Sequence, residues 1–147
     1  MLVDGLYALL ASSSELQDQL GAARTDQTSG IFPGLIKEGS DLPALVYLQV
    51  HGDEMQTFDG RGELRSARLQ FSGYGSAYGD AKLTAKAVKD TLIGYQGTLN
   101  DGTQVDSIHL VSEIDSFVKS PTPSQETGGR SMYHTAVDVE IWYRESS

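Results

Sequence analysis

The sequence predicts an α+β protein: a single antiparallel β-sheet with one long helix packed on a face, and short helices at the N-terminus. Three observations carry this expectation. Residues 132–144 alternate strictly, with Tyr133, Thr135, Val137, Val139, Ile141 and Tyr143 on one side and His134, Asp138, Glu140, Trp142 and Arg144 on the other. On a strand, successive side chains take opposite faces, so this segment seals a core with one side and offers charge and an indole with the other. Residues 64–74 alternate too, setting Ala67, Leu69 and Phe71 against Arg68, Gln70 and Ser72. Half-buried alternation of this kind suits antiparallel pairing. Between the two strands, residues 77–93 carry Ala81, Ala85, Val88 and Leu92 at helical spacing.

Taken in order, Leu2, Val3, Leu6, Leu9 and Leu10 form an apolar-periodic opening that reads as a short amphipathic helix. Ser12 to Ser14 interrupt it, and Ser14 is placed to cap a second short helix through Leu16 and Leu20, ending near Gly21. Residues 24–41 are rich in Thr, Ser, Gly and Asp and read as a loop holding at most one short edge strand around Ile31-Phe32-Pro33. Pro43 stands directly before the β-rich run Ala44 to Val50, at a strand start where proline is tolerated. Residues 51–62, with three glycines and Phe58, read as a long connection. The helix over 77–93 has Asp80 at its N-terminal end and Gly94 just past its C-terminal end, and Lys82, Lys86 and Lys89 share another of its faces. A short strand at 95–99 then meets the tight-turn sequence Asn100-Asp101-Gly102, and 105–114 is the next strand. Residues 119–130 are Ser-, Pro-, Thr- and Gly-rich and read as a mobile loop.

With 147 residues, 39% of them hydrophobic, the chain is expected to form one domain, 1–147, around one core. No apolar run approaches the roughly 18 residues of a membrane helix, so no membrane partner is expected. Asp4 in place of a basic cluster argues against a secretory signal and for a cytoplasmic product. The absence of cysteine excludes disulfides, thiolate catalysis and sulfur-ligated zinc. A net charge of −9 disfavours a free-standing nucleic-acid binder. That charge is uneven: residues 1–60 hold nine acidic and two basic side chains, 61–89 two acidic and six basic, and 90–147 nine acidic and three basic. A positive middle between negative ends suits head-to-tail contact between copies of the chain; an unevenly charged solvated surface is the plain alternative.

Catalytic chemistry is not legible. Gly73-Tyr74-Gly75-Ser76-Ala77-Tyr78-Gly79 sits between a strand and a helix but lacks dinucleotide spacing and a βαβ context, and its glycines suit a sharp turn into a closely packed helix. His51, His109 and His134 have no partners at metal-ligand spacing, and Asp138 with Glu140 reads as a solvated acidic face. The lysine stripe with Arg61, Arg65 and Arg68 lacks the interleaved aromatics of a base-stacking surface. The expectation is therefore no enzyme, no catalytic residues, no cofactor and no metal.

Leu42-Pro43-Ala44-Leu45-Val46-Tyr47, the strand into Tyr74-Gly75, the helix ending Thr91-Leu92-Ile93-Gly94 and the closing Val139-Glu140-Ile141-Trp142-Tyr143 together resemble the tail-completion, or tail-terminator, proteins of long-tailed bacteriophages. The order of opening helices, Gly30 to Pro33 and a Leu-Pro strand is similar as well, while 51–62 and 119–130 depart from the pattern. The resemblance implies a virion protein, assembled in the host cytoplasm. It would form a homo-oligomeric ring, a hexamer, at the head-proximal end of the tail tube, where it stops tube growth and joins tail to head. Its implied partners are further copies of itself, the tail tube protein and the head-completion or connector protein, with DNA only as cargo through the channel. An acidic wall would keep that cargo from sticking. The candidate contacts are Phe58, Arg61, Arg65, Arg68, Lys82, Lys86, Lys89, Trp142 and Arg144, with the 51–62 and 119–130 loops. A head-closure or neck connector is the alternative of the same class, and a small ligand-binding or enzymatic α+β domain the alternative of another.

Overall fold

The computed structural model describes residues 2–21, 30–34, 43–55, 64–118 and 132–144. Its elements are α1 (Leu2–Ala11), α2 (Ser14–Gly21), β1 (Ile31–Pro33), β2 (Ala44–Met55), β3 (Leu64–Gly75), α3 (Tyr78–Leu92), β4 (Gly97–Thr98), β5 (Gln104–Val118) and β6 (Met132–Arg144). The strands form one six-stranded sheet in the order β1-β2-β3-β6-β5-β4. The α+β class is as expected, with two corrections. The sheet is mixed, because β1 runs parallel to β2 while the other pairs are antiparallel. A three-residue strand is too short for alternation to reveal its direction. In place of a single long helix there are, among the described residues, three, of 10, 8 and 15 residues.

The two alternating segments form the central pair, β3 beside β6, with Leu69 opposite Val139 and Phe71 opposite Val137. Ala67, Leu69, Phe71, Thr135, Val137, Val139, Ile141 and Tyr143 are buried on one face. At roughly 1.5–3 kcal/mol for each large apolar side chain removed from water, this face supplies much of the driving force. The helices cover it. Ala81, Ala85, Val88 and Leu92 are buried along α3, Leu2, Leu6 and Leu10 along α1, and Leu16 and Leu20 along α2, all but Ala81 in one cluster. The Thr91 hydroxyl donates to Ser13 Oγ at 3.0 Å and Gln19 Nε2 donates to the Asp80 carbonyl at 3.3 Å, tying α3 to the opening helices. Ser13, not Ser14, caps α2: its Oγ accepts from the Leu16 amide at 3.3 Å.

The glycine turn has the structural role expected of it. A Cβ on Gly73 would lie 3.0 Å from the Ala81 carbonyl oxygen, and one on Gly75 would lie 2.6 Å from Asp80 Cβ. Glycine on the strand and alanine on the helix thus let backbone approach backbone where α3 leaves β3. Gly94 follows the helix at φ 82°, and the Asn100-Asp101-Gly102 turn closes with Gly102 at φ 95° and the Leu99 amide 2.8 Å from the Thr103 carbonyl.

Strand lengths differ from expectation. β2 continues through residue 55, so the first part of the expected 51–62 connection is strand, and β5 runs to Val118 instead of 114. β4 is only two residues. An irregularity in register between Gln49 and His51 breaks the alternation that would have marked the extension of β2, and on β5 Glu113 and Asp115 take the helix-side positions that apolar residues would mark.

Candidate assembly surface

The lysine stripe on α3 is turned toward β5. Lys82 Nζ lies 2.5 Å from Glu113 Oε2 and Lys89 Nζ 2.5 Å from Glu113 Oε1, so one carboxylate is held by a lysine at each oxygen. Asp115, two residues on, lies 3.3 Å from Lys82 Nζ and accepts from Tyr78 Oη at 2.8 Å and Thr135 Oγ1 at 3.0 Å. Residues two apart on a strand share a face, so both acids reach the helix together. The Lys82 and Lys89 hydrogen bonds hold the Glu113 carboxyl below its ordinary value, and those of Tyr78 and Thr135 do the same for Asp115. The Glu113 hydrogen bond raises Lys82 in return. Lys86 points outward, 2.7 Å from Asp90 and 3.6 Å from Glu15.

Of the remaining expected contacts, Arg68, Trp142 and Arg144 lie on the sheet face away from the helices, while Arg65 shares the face of Tyr143. Arg68 is exposed beside Glu140, and His109 stands on the other side of Glu140. Trp142 is half-buried, and its indole N–H donates to Glu140 Oε1 at 3.1 Å, which corrects the expectation of a freely exposed indole. Its own strand neighbour captures its polar end. Arg144 Nε is 3.5 Å from Asp106 Oδ2, and Arg65 lies opposite Tyr143. Phe58, Arg61 and the 119–130 loop fall outside the described residues. The structure thus brings Lys82 and Lys89 together around Glu113 and places Arg68 across from Glu140 and Trp142 two residues along its strand, on the opposite face of the sheet from the lysines.

One end of the sheet carries rings. His134 stacks on Tyr74 with centroids 4.6 Å apart and planes 7° apart, while Tyr133 meets Tyr78 at 6.0 Å and Phe117 at 4.9 Å. Burial pushes the His134 imidazole below its usual value; its Nδ1 is 3.0 Å from Ser116 Oγ, and its Nε2 is buried without a hydrogen-bond partner. His109 and His134 project from different strands at different levels. Among the described residues no three His, Asp or Glu gather as a metal site. A cleft of about 240 Å³ between α1 and the β4 turn, lined by Gly5, Ala8, Leu9, Tyr95, Leu99 and Asn100 among others, has no charged side chain in its wall.

The acids Glu113 and Asp115 were not singled out in the sequence; the signal available was the repeat of acid at i and i+2 on a strand. No helix among the described residues is long and apolar enough to cross a membrane.

The model of one protein family, described as tail completion protein gp17, matches residues 4–144. Among solved structures, a chain from the virion of a native gene transfer agent (GTA) particle has a similar fold, at a TM-score of 0.55 and 16% identity over 95% of this chain and 90% of that one. No curated protein matches.

Proposed function

The chain belongs to the tail completion protein gp17 family, a structural component of phage and not an enzyme, and we propose that it completes the tail as a ring. The match over residues 4–144 carries this reading, since it spans every described element but the first two residues of α1. In the proposed arrangement, copies of the chain form a hexameric collar at the head-proximal end of the tail tube. One rim matches the last ring of tube protein and ends its growth, and the other receives the head-completion or connector protein.

The charge distribution supports such a collar. A basic stretch at 61–89 between acidic stretches allows one patch to meet a different patch on the neighbour, which is the contact a closed ring requires. The net charge of −9 per chain disfavours adhesion of DNA passing through the channel. Arg68, Trp142 and Arg144 on the helix-free face, Arg65 on the adjoining strand and Lys86 on α3 remain the proposed contacts, together with Phe58, Arg61, Lys82 and Lys89.

The test is mass determination of the native oligomer together with binding to purified tail tubes and to filled heads. A ring that caps tubes is the expected result. A ring that binds filled heads and ignores tubes would move the protein to the head-closure side, and a monomer at every concentration that caps nothing would end the proposal.

A further inference from the structure

Each described chain leaves two lengths of strand edge without a neighbour. β1 covers only Leu45 to Tyr47 of β2, so residues 48–55 are unpaired on their outer side among the described residues. β4 covers only Gln104 and Val105 of β5, and the Gly94 amide and Gln96 side chain reach the carbonyls of Ile108 and Asp106. Beyond these, residues 110–117 have no strand outside them among the described residues. Unpaired edges of this length are templates for pairing with another chain, and folded proteins blunt them unless they are used. Register irregularities at 49/51 and 110/112 bend these edges without covering them: Leu110, Val111, Ile114 and Phe117 are 42–63% exposed, and on the other edge Leu48 and Val50 are nearly half exposed.

We propose that residues 110–117 of one copy pair antiparallel with residues 48–55 of a second copy, continuing the sheet from chain to chain. The proposal rests on the ring reading and names the surface that would build it. Strand polarity favours this occupant: β2, β3, β6 and β5 alternate in direction, so β5 lies antiparallel to the β2 of a copy placed beside it. The edges are equally long, and a second copy satisfies both where a foreign strand would satisfy one.

Charge agrees. The acids of the receiving edge, Glu113 and Asp115, are already engaged by Lys82, Lys89 and Tyr78. The lysines of α3 stand beside that edge, so the contact is free of the repulsion two bare acidic strands would bring.

Geometry agrees as well. Leu48 and Met55 stand level with Gln70 and Leu64 of β3, whereas Leu110 and Phe117 are level, through β6, with Leu69 and Gly75. The two edges are therefore offset by about five residues, or about 17 Å at the usual strand rise. Across four strands spaced about 4.8 Å apart, that offset inclines the strands by about 40°, within the range at which sheets close on themselves. Half-exposure of the four β5 side chains amounts to roughly 350 Å² of apolar surface, well below what holds an isolated dimer. A chain binding two neighbours in a closed ring makes the contact twice, so rings without a stable dimer are expected.

The experiment compares the full-length wild-type chain with Val111→Lys/Ile114→Lys by native mass spectrometry, and with Leu48→Cys/Ser116→Cys under oxidation, since the chain has no cysteine of its own. Centring one edge on the other, in the nearest register that keeps opposite residues on one face, puts Leu48 opposite Ser116, within disulfide reach, since Leu48 is level with Gln70 and Ser116, through His134, with Tyr74 on the same helix-free face. The lysine variant is expected to keep its circular dichroism and thermal midpoint and to need at least about tenfold more protein to assemble. The cysteine variant is expected to give a covalent ladder ending at the ring size. If the lysine variant fails to fold, the ladder decides. Wild-type rings unaffected by the lysines and without cross-links would overturn edge pairing and leave the ring reading standing. Intact lysine-variant rings that no longer cap tubes would assign the edge to the tube protein and overturn the proposal. A wild-type chain that stays monomeric, alone and with tubes, would remove the ring reading itself.

Discussion

Lys82 of α3 and Glu113 of β5 meet at 2.5 Å, and Lys89 holds the other carboxylate oxygen, so the helix is fastened to a strand that lies beyond the central pair it packs on. Glu113→Gln keeps the shape but removes the charge that two lysines share. Its side chain is 21% exposed, so solvent screens the loss only in part. The expected cost is about 1 kcal/mol, read as a lower urea midpoint at unchanged slope. Lys86→Ala, whose partners are exposed, should stay within about 0.5 kcal/mol of wild type.

Acid should destabilise the fold in two steps. His134 titrates below its ordinary value of 6.5 because burial disfavours the imidazolium. The unfolded chain therefore binds the proton first, and stability present above 6.5 is lost as pH falls through the depressed folded value. Glu113 and Asp115 are lowered by hydrogen bonds to charged and hydroxyl donors, so their contribution is complete above the ordinary carboxylate range and is lost below it. His134→Phe keeps a ring over Tyr74 and should abolish the upper step in urea midpoint against pH; Glu113→Gln should shrink the lower one.

Three glycines in one turn should respond differently to alanine. A Cβ at Gly75 meets Asp80 Cβ at 2.6 Å and the Ala81 amide nitrogen at 2.8 Å, and one at Gly73 meets the Ala81 carbonyl at 3.0 Å. Both oppose backbone that cannot swing aside, so Gly75→Ala and Gly73→Ala should each cost about 1–3 kcal/mol. Gly79 lies in the first turn of α3 with nothing within 4 Å of its Cβ position. Gly79→Ala should be neutral or stabilise by up to about 1 kcal/mol. Thermal unfolding of the three variants checks the order.

The turn was readable because its reason is local: glycine where strand becomes helix, alanine where helix meets sheet. The same holds for β3, β6 and α3, whose periodicities are unbroken over a dozen residues. Past residue 50 on β2 a register irregularity shifts the side chains off strict alternation, and on β5 Glu113 and Asp115 take the helix-side positions that apolar residues would mark, so neither extension is legible. The parallel direction of β1 and the half-burial of Trp142 depend on which strands become neighbours, and sequence periodicity carries no such information. The lysine stripe was read correctly as a helix face but without its partners, because Glu113 lies 24 residues from Lys89 in sequence and reaches it only through the sheet.

That pairing changes what charge reversal of the stripe would report. Substituting Lys82, Lys86 and Lys89 together by Glu puts two carboxylates against Glu113, the one at position 82 also beside Asp115, turning attraction into repulsion within the chain. The triple variant should lower the unfolding midpoint even as a monomer, so loss of ring formation in it would not assign the stripe to an interface. Lys86→Glu separates the two effects, since its partners Asp90 and Glu15 lie on the helices and are exposed. If Lys86 meets an acidic neighbour in the ring, this single change leaves the unfolding midpoint near wild type and raises the protein concentration needed for assembly, most visibly at low salt where charges are least screened. Ring formation that is the same at every ionic strength would assign Lys86 to solvent.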